Sequence, residues 1–490
     1  MLASGSGGAV LLLALLIIPA AGSALAYLFE PRRARVTVLA TASAVHLAIV
    51  AALWRAPAAT ALNGWLHADA LGLVVLTLVS VLFAAVASYA IGFTRQETPR
   101  GGRMFVGGLL AFLTAASLVC VSQQLALMWV GMETTTLAIA PLIFHRHDRR
   151  SLEAVWKYLM LSSVGIAFAL LAVFLLATAQ PTASGRPLLF GDLMSNAASL
   201  NRAWLRVAYV FALTGFGTKM GLAPLHSWKP DTYGEAPSLV SALMSGALTS
   251  CAFLGLARFT AVVLAAGLGD FARPLLIAFG LVSLVVATAF VVAQSDIKRL
   301  LAYSSVEHMG LLVLGLGLGG VSTYGSVLHV LNNGIAKCML FLVVGNMVLA
   351  TGSSAAADLK GLVRTRPVSA VLLLAGLFAV TGSPPFGLFM SEFAIVSGAI
   401  RGHHAIVATV MLCLLAIIFA GIGAMIIGAV FGETRVGDDG GVTPFARESA
   451  WLVGGPLALA AAVLMLGVYI PAPLRASLAD AARLLGGGAP

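Results

Sequence analysis

The chain has 490 residues, of which 60% are hydrophobic and 10% are charged. Soluble globular proteins carry charge on roughly a quarter of their residues, so this composition excludes a water-soluble domain. The formal net charge is +10, but the Lys and Arg residues gather in loops on alternate sides of the predicted helices. The charge therefore reflects membrane topology, and we exclude nucleic acid as a partner.

Apolar stretches long enough to cross a hydrocarbon core of roughly 30 Å recur along the chain. They predict an all-α integral membrane protein with about fourteen transmembrane helices. Their starts lie near residues 8, 36, 70, 105, 125, 156, 207, 236, 274, 300, 324, 368, 404 and 450.

The first apolar stretch follows MLASGSGG, which has no Lys or Arg. We therefore expect a retained helix rather than a cleaved signal peptide. Loops after odd-numbered helices hold most of the basic residues, including Arg32, Arg95 and Arg149. By the positive-inside rule these loops face the cytoplasm. This predicts a multi-pass protein of the bacterial inner membrane with both termini on the outer side.

The four cysteines lie inside predicted helices and show no Cys-x-x-Cys spacing; they are Cys120, Cys251, Cys338 and Cys413. This pattern predicts packing rather than an iron–sulfur or zinc site. No Gly-rich nucleotide loop follows a strand pattern either. We expect no cofactor and no redox site in this chain.

Two predicted helices are interrupted by Gly and Pro close to a charged residue. One break follows Lys219 and the other precedes Glu392. The breaking residues are Pro224 in the first case and Gly382, Pro384 and Pro385 in the second. Paired breaks are typical of inverted-repeat transporters, whose sites form at discontinuous helices. Gly and Pro are also common in ordinary membrane helices.

Three ionisable side chains lie deep in apolar stretches: Glu133, Lys219 and Lys337. Inserting a charged side chain at the centre of a membrane helix costs about 2.5 to 3.5 kcal/mol, so each of the three needs a partner, water or a function. Glu133 and Lys219 are predicted partners, because a lysine beside a carboxylate can alternate between holding and releasing a proton. A static ion pair that joins two helices is the alternative.

His329, Asn333 and Lys337 are spaced by four residues and therefore share one helix face. Such a polar stripe predicts a path, although a single buried histidine usually only packs. His308 can titrate near neutral pH, and we interpret it as a path residue. We expect His308 and Glu392 to lie near helix ends or breaks.

Lys157 lies near the start of the sixth predicted helix, where a lysine either snorkels to the interface or assists proton uptake. Lys229 and Asp231 follow the first break, and we interpret them as polar side chains of a loop. Asp296 and Lys298 open a later helix and are expected to be structural.

Three motifs carry a family resemblance: GTKMGLAPLHSWKPDTYGEAPSLVSALMSG, QSDIKRLLAYSSVEHMG and GSPPFGLFMSEF. They resemble the antiporter-like, proton-translocating membrane subunits of complex I, multi-subunit Na+/H+ antiporters and group 4 hydrogenases. The resemblance covers about residues 65 to 430. SLEAVWKYL and SSVEHMG together resemble the formate hydrogenlyase branch.

The resemblance implies fourteen helices with two inverted five-helix repeats. The implied units are 1–104 (helices 1 to 3), 105–265 (helices 4 to 8), 266–432 (helices 9 to 13) and 433–490 (helix 14 and tail). It also implies roles for four charges: Glu133 and Lys219 as a charge pair, Lys337 as the central lysine and Glu392 at the second broken helix.

Two departures from the resembled proteins lie on the expected route between Lys219 and Lys337. Thr249 and Ser250 stand where many of those proteins have Lys or His, and Asn333 stands where many have a second His. A hydroxyl does not hold a proton at neutral pH, although it can order water. We keep Ser250 and Asn333 as path residues on that ground.

The sequence thus predicts a proton-translocating subunit that works with other membrane subunits of an energy-converting redox complex. One alternative is a Na+/H+ antiporter subunit, for which Glu133 with Thr134 to Thr136 is the one visible oxygen cluster. Another is a non-pumping scaffold for a catalytic module, which Ser250 and Asn333 favour. A quinone-reducing subunit has no cofactor motif in its support.

Overall fold

The computed structural model describes residues 2–56, 59–96, 99–181, 187–433 and 448–488. Within these ranges almost every element is a helix, and the one sheet pairs β1 (Thr60–Ala61) with β2 (Leu66–His67). The first half holds α1 (Leu2–Leu28), α2 (Arg32–Leu53), α3 (Ala70–Phe93), α4 (Pro99–Val121), α5 (Leu125–Ile143), α6 (Arg149–Ala179), α7 (Phe190–Ser195), α8 (Arg202–Met220), α9 (Trp228–Glu235), α10 (Ser238–Leu243) and α11 (Thr249–Ala265). The second half holds α12 (Gly269–Val291), α13 (Ile297–Leu318), α14 (Gly320–Thr351), α15 (Leu362–Thr365), α16 (Pro367–Val380), α17 (Gly387–Arg401), α18 (Ala405–Phe431), α19 (Ala450–Val468) and α20 (Ala472–Leu484).

Twelve helices of the described chain are long and apolar enough to span a membrane. The all-α membrane fold is therefore confirmed. One of the twelve is continuous from Ser238 to Ala265, with a π-helical turn at Met244–Leu248 between α10 and α11. The two predicted spans that are not among the twelve start near residues 207 and 368. They correspond to the interrupted pairs α8/α9 and α16/α17, in which the Gly and Pro residues end the first helix.

The most deeply buried spans lie in the centre of the bundle. The apolar cores of Ser238–Ala265 and Ile297–Leu318 are entirely covered by other helices, whereas α18 exposes most of its apolar side chains. Without water in the bilayer core, a polar side chain on a covered helix must find its partners inside the protein. The fold therefore holds the polar residues of α13 and α14 away from lipid.

Local signals explain where helices begin. Asp148 accepts a hydrogen bond from the Ser151 backbone N–H, and the Ser151 hydroxyl is bonded to the Asp148 backbone, which forms a capping box at the start of α6. The same hydrogen bond to the carboxylate lowers the pKa of Asp148 from its usual value.

A buried ion pair ties α11 to the start of α3. Arg258 Nη2 lies 2.6 Å from Asp69 Oδ1, and the guanidinium also donates to the backbone carbonyls of Cys120 and Ser122. Arg258 is fully buried. Nothing in the sequence pattern indicates this pair.

All four cysteines lie in helices as predicted. Cys120, Cys251 and Cys338 are buried, and Cys413 is exposed on α18.

Candidate functional site

Lys219 lies at the end of α8 and is fully buried. Its Nζ donates to Thr136 Oγ1 at 2.6 Å and to the Tyr158 hydroxyl at 3.0 Å. The ammonium also lies 4.7 Å from the centre of the Tyr158 ring, within the range of a cation–π contact. Two hydroxyls from α5 and α6 therefore solvate this lysine in place of water.

Glu133 is joined to Lys219 through Thr136. The Thr136 hydroxyl lies 3.4 Å from Glu133 Oε2, and Ser163 donates to Glu133 Oε1 at 3.2 Å. We expected Glu133 to be deeply buried, but it is only half-buried, on a helix face that also exposes Leu137. We call Glu133, Thr136, Tyr158, Ser163 and Lys219 the acid–lysine cluster.

Lys229 was expected to be a polar residue of a loop, but it is a fully buried lysine. Its Nζ donates to the Met220 carbonyl at 2.6 Å and approaches the Ser305 carbonyl at 3.4 Å. The break after α8 turns the chain back, so that α9 directs this side chain into the bundle. Asp231, which follows Lys229 on α9, binds Lys157 and Arg299.

Lys337 lies on α14 and is also fully buried. Its Nζ approaches the Leu301 carbonyl of α13 at 3.5 Å. Glu307, on the same helix α13, accepts a hydrogen bond from Ser304 at 3.1 Å, and its carboxylate is close enough to attract Lys337 electrostatically. The central lysine thus faces an acid on the neighbouring helix.

The two histidines of the predicted path are in contact. His308 Nδ1 lies 3.0 Å from His329 Nε2, and His329 Nδ1 lies 2.9 Å from Ser391 Oγ. His308 was expected near a helix end, but it lies near the middle of α13 because that helix begins at Ile297. We call His308, His329, Ser391 and Glu392 the histidine cluster.

Glu392 lies in α17, shortly after the second break. Its Oε2 is so close to Gly382 that a β-carbon placed on this glycine would clash with it. Gly382 has a φ of +63°. Pro384 and Pro385 follow it, and together they allow the chain to pass closely over the carboxylate.

Ser250 and Asn333 differ in the hydrogen bonds of their side chains. The Ser250 hydroxyl donates to the Gly246 carbonyl of its own helix at 2.6 Å, and Thr249 bonds to Ser245 in the same way. Asn333 is buried, and its side-chain atoms have no hydrogen-bond partner among the described residues. A buried amide in this condition is a site for water.

Lys157 is 43% exposed and forms ion pairs with Glu153 at 2.6 Å and Asp231 at 2.8 Å. Asp231 also binds Arg299 at 2.9 Å. This network lies at the surface and connects α6, α9 and α13. Lys157 is therefore separate from both buried clusters.

Among the described residues, the donor atoms of His308, His329 and Glu392 come within 4.8 Å of one another. This set could hold a transition metal by residue type. The positive charge of Lys337 acts on both histidines, however, and the two rings are already hydrogen-bonded to each other. The arrangement is better suited to holding and passing protons.

The arrangement as a whole places titratable groups in a row inside the helical bundle. The row begins at the acid–lysine cluster, continues through Lys229, Glu307 and Lys337, and ends at the histidine cluster. Most members contact a hydroxyl or a backbone carbonyl, whereas Glu392 Oε1 has no hydrogen-bond partner among the described residues. Hydroxyls can donate and accept hydrogen bonds, and carbonyls accept them.

Comparison with known proteins was consistent with this geometry. Residues 122–418 match the family described as NADH:quinone oxidoreductase/Mrp antiporter, membrane region. The chain is 34% identical to a hydrogenase-4 component F homolog of Methylacidiphilum infernorum over 75% of this chain and 79% of that protein. It is 28% identical to the NADH-quinone oxidoreductase subunit N of Laribacter hongkongensis, over 81% of each chain.

The fold is also found in a solved structure. A chain of the membrane-bound sulfane sulfur reductase, an archaeal respiratory membrane complex, superposes with a TM-score of 0.86 at 21% identity, covering 97% of this chain and 98% of that one. The family match spans more than half of the sequence and includes Glu133, Lys219, Lys229, Glu307, Lys337 and Glu392. The chain therefore belongs to the NADH:quinone oxidoreductase/Mrp antiporter family of membrane subunits.

Proposed function

We propose that this chain is a proton-translocating membrane subunit of an energy-converting redox complex. The single observation that carries the proposal is the row of titratable groups from the half-buried Glu133 through the buried Lys219 and Lys337 to Glu392. Charges in a bilayer core are expensive and are retained where they mark an ion path. Their hydroxyl and carbonyl surroundings suit protons, which need only donors and acceptors.

A redox complex rather than a lone transporter is favoured by the relatives, whose names place them in hydrogenase-4 and NADH-quinone oxidoreductase. We infer that other membrane subunits are the partners of this chain and that it adds no redox site of its own.

We further propose that both termini face the outer side of a bacterial inner membrane. Residues 105–265 and 266–432 would form the two inverted repeats, in a bundle of fourteen helices.

The test is a proton-flux assay on the intact complex. The complex is purified from its native membranes through an affinity tag on this chain and reconstituted into liposomes that contain a pH-sensitive dye. Valinomycin and a K+ gradient impose the membrane potential, so that no electron donor needs to be known. We expect Lys219→Ala and Lys337→Ala each to lower the proton flux per assembled complex by about 10²-fold, a typical contribution of a positioned proton-transferring group.

Two outcomes would overturn the proposal. A wild-type complex that passes no protons would leave a scaffold for a catalytic module as the function. Equal fluxes in the wild type and both lysine variants would show that the row of charges is not the path.

A Na+/H+ antiporter subunit is the second candidate. It is favoured by the half-exposed Glu133 next to the hydroxyls of Thr134 and Thr136. In the same liposomes, a Na+ gradient without an imposed potential should move no protons if the path carries protons alone. Proton movement driven by Na+ would instead support the antiporter.

A further inference from the structure

The described path has a gap between its two halves. Lys219 and Lys337 lie on α8 and α14, and the side chains first expected to connect them do not titrate. Ser250 bonds to a carbonyl of its own helix, and Asn333 is an amide. A path that depends on groups able to accept and release a proton therefore needs another base in this region.

Lys229 lies in that gap. Its Nζ donates to the carbonyl of Met220, the residue directly after Lys219, at 2.6 Å. On its other side it approaches the carbonyl of Ser305 on α13 at 3.4 Å. The side chain therefore reaches from the end of the first broken helix to the helix that carries Glu307 and His308.

Lys229 and Lys337 approach the same helix one turn apart. Lys337 Nζ lies 3.5 Å from the Leu301 carbonyl, and Ser305 is four residues further along α13. The two ammonium groups are close enough to repel each other, and the charges of both act on His308. Because both amines are fully buried, protonation of one disfavours protonation of the other.

The surroundings of Lys229 differ from those of a lysine held by an acid. Among the described residues no carboxylate forms an ion pair with it, and its ammonium lies 5.8 Å from the centre of the Tyr233 ring. Lys157, by contrast, contacts two carboxylates. A lysine solvated only by carbonyls and a ring can lose its proton without leaving a buried anion unpaired.

We propose that Lys229 is the proton-accepting base that links the acid–lysine cluster to Lys337. This proposal rests on the proposed function. The lysine takes a proton released on the Lys219 side and gives it up on the α13 side, towards Glu307 and Lys337. Once Lys337 holds the proton, its positive charge disfavours a new proton on Lys229. The two lysines are therefore protonated in turn.

The structural alternative is that Lys229 only clamps the end of α8, because a cation near the last carbonyls of a helix stabilises it. Three substitutions separate the two roles. Lys229→Leu removes the base and the clamp. Lys229→Arg keeps the charge and the donors but does not deprotonate, and Lys229→His restores a group that titrates.

Lys298 provides the matched control. It is also a buried lysine, and its Nζ donates to the carbonyls of Gly234 and Ala236 at 2.7 and 2.5 Å. Lys298→Leu removes a comparable clamp outside the row of path residues. It should lower the melting temperature of the complex without lowering the proton flux per assembled complex.

The proton-flux assay described above tests the proposal. We expect Lys229→Leu and Lys229→Arg to reduce the flux by about 10²-fold, and Lys229→His to recover a large part of it. Equal fluxes in the Arg and His variants, or an unchanged flux in the Leu variant, would overturn it. If the Leu variant does not assemble, the comparison of Arg with His decides. Failure of the proposed function is recognised separately, because Lys219→Ala and Lys337→Ala would then also leave the flux unchanged.

Discussion

His308 and His329 share a hydrogen bond of 3.0 Å between Nδ1 and Nε2, and both rings are fully buried. The second ring continues to Ser391 Oγ at 2.9 Å. A neutral imidazole has one donor and one acceptor nitrogen, so a proton that enters one ring leaves from its opposite side. The pair therefore joins α13, α14 and α17 into one row of donors and acceptors.

Replacement of His329 should interrupt that row. His329→Ala leaves the His308 ring and the Ser391 hydroxyl without their partner, and we expect the proton flux to fall by about 10²-fold. The unpaired groups should also cost about 1 to 3 kcal/mol of stability. Both effects are measured on the reconstituted complex, by the proton-flux assay and by thermal unfolding.

His46 is the control for this prediction. It is a buried histidine bonded to Ser80 at 3.0 Å and Ser117 at 2.8 Å, away from the path. His46→Ala should destabilise the protein by a similar amount and leave the flux per assembled complex unchanged. A parallel loss of flux in both variants would mean that the effect of His329 is structural.

The hydroxyl of Thr136 should be needed to connect Lys219 with Glu133. Thr136→Val keeps the shape of the side chain and removes the hydroxyl, so we expect a loss of proton flux that Thr136→Ser largely avoids. Thr135→Val is the matched control, because within the described part of the chain the Thr135 hydroxyl bonds only to the Met132 carbonyl, at 2.6 Å. If Thr135→Val and Thr136→Val reduce the flux equally, the connecting role of Thr136 is wrong.

Gly382 should be intolerant of a side chain for a reason beyond its backbone angle. In Gly382→Ala the β-carbon would clash with the Glu392 carboxylate and displace it. Gly352 has a similar φ of +73° and open space around it, so Gly352→Ala reproduces only the backbone strain, roughly 1 to 2 kcal/mol. We expect both variants to have lower melting temperatures but only Gly382→Ala to lose proton flux. A normal flux in Gly382→Ala would contradict a path role for the position of Glu392.

Arg258 should contribute strongly to stability. Arg258→Gln removes the charge partner of Asp69, a carboxylate that is only 16% exposed, and breaking a buried ion pair costs about 3 to 5 kcal/mol. The ion pair of Arg483 with Asp480 is mostly exposed, at 67% and 52% of the two side chains. Arg483→Gln should therefore change stability by less than about 1 kcal/mol. Thermal unfolding of the two variants in the same detergent measures the difference, and equal melting temperatures would refute it.

The sequence predicted the spans well because the bilayer imposes one simple requirement, about twenty apolar residues per crossing. It also pointed to Lys219, Lys337 and Glu392, since charges are rare in such stretches. The breaks at Pro224 and Gly382 were visible for a similar reason, as neither residue type supports a regular helix interior.

Other members of the site could not be recognised from the sequence. Thr136 and Tyr158 are ordinary residues in membrane helices, and only the fold shows that they surround Lys219. Lys229 stands among Trp, Pro and Asp in a segment with the composition of a loop. Its burial depends on how the chain turns after the break, which local sequence does not specify. Arg258 was missed because its partner Asp69 lies on a distant helix end.

The half-exposed position of Glu133 opens its carboxylate to charges outside the chain. The outer wall of the bundle at this point is apolar, as Val130 and Leu137 show, so a neighbouring subunit that packs there would bring its own charges within reach of the carboxylate. An electron arriving elsewhere in such an assembly could be felt at Lys219 through electrostatics alone, without any large movement of helices. In such an assembly Glu133 would receive the electrical signal at the outer face of the bundle, whereas Lys219 is buried inside it.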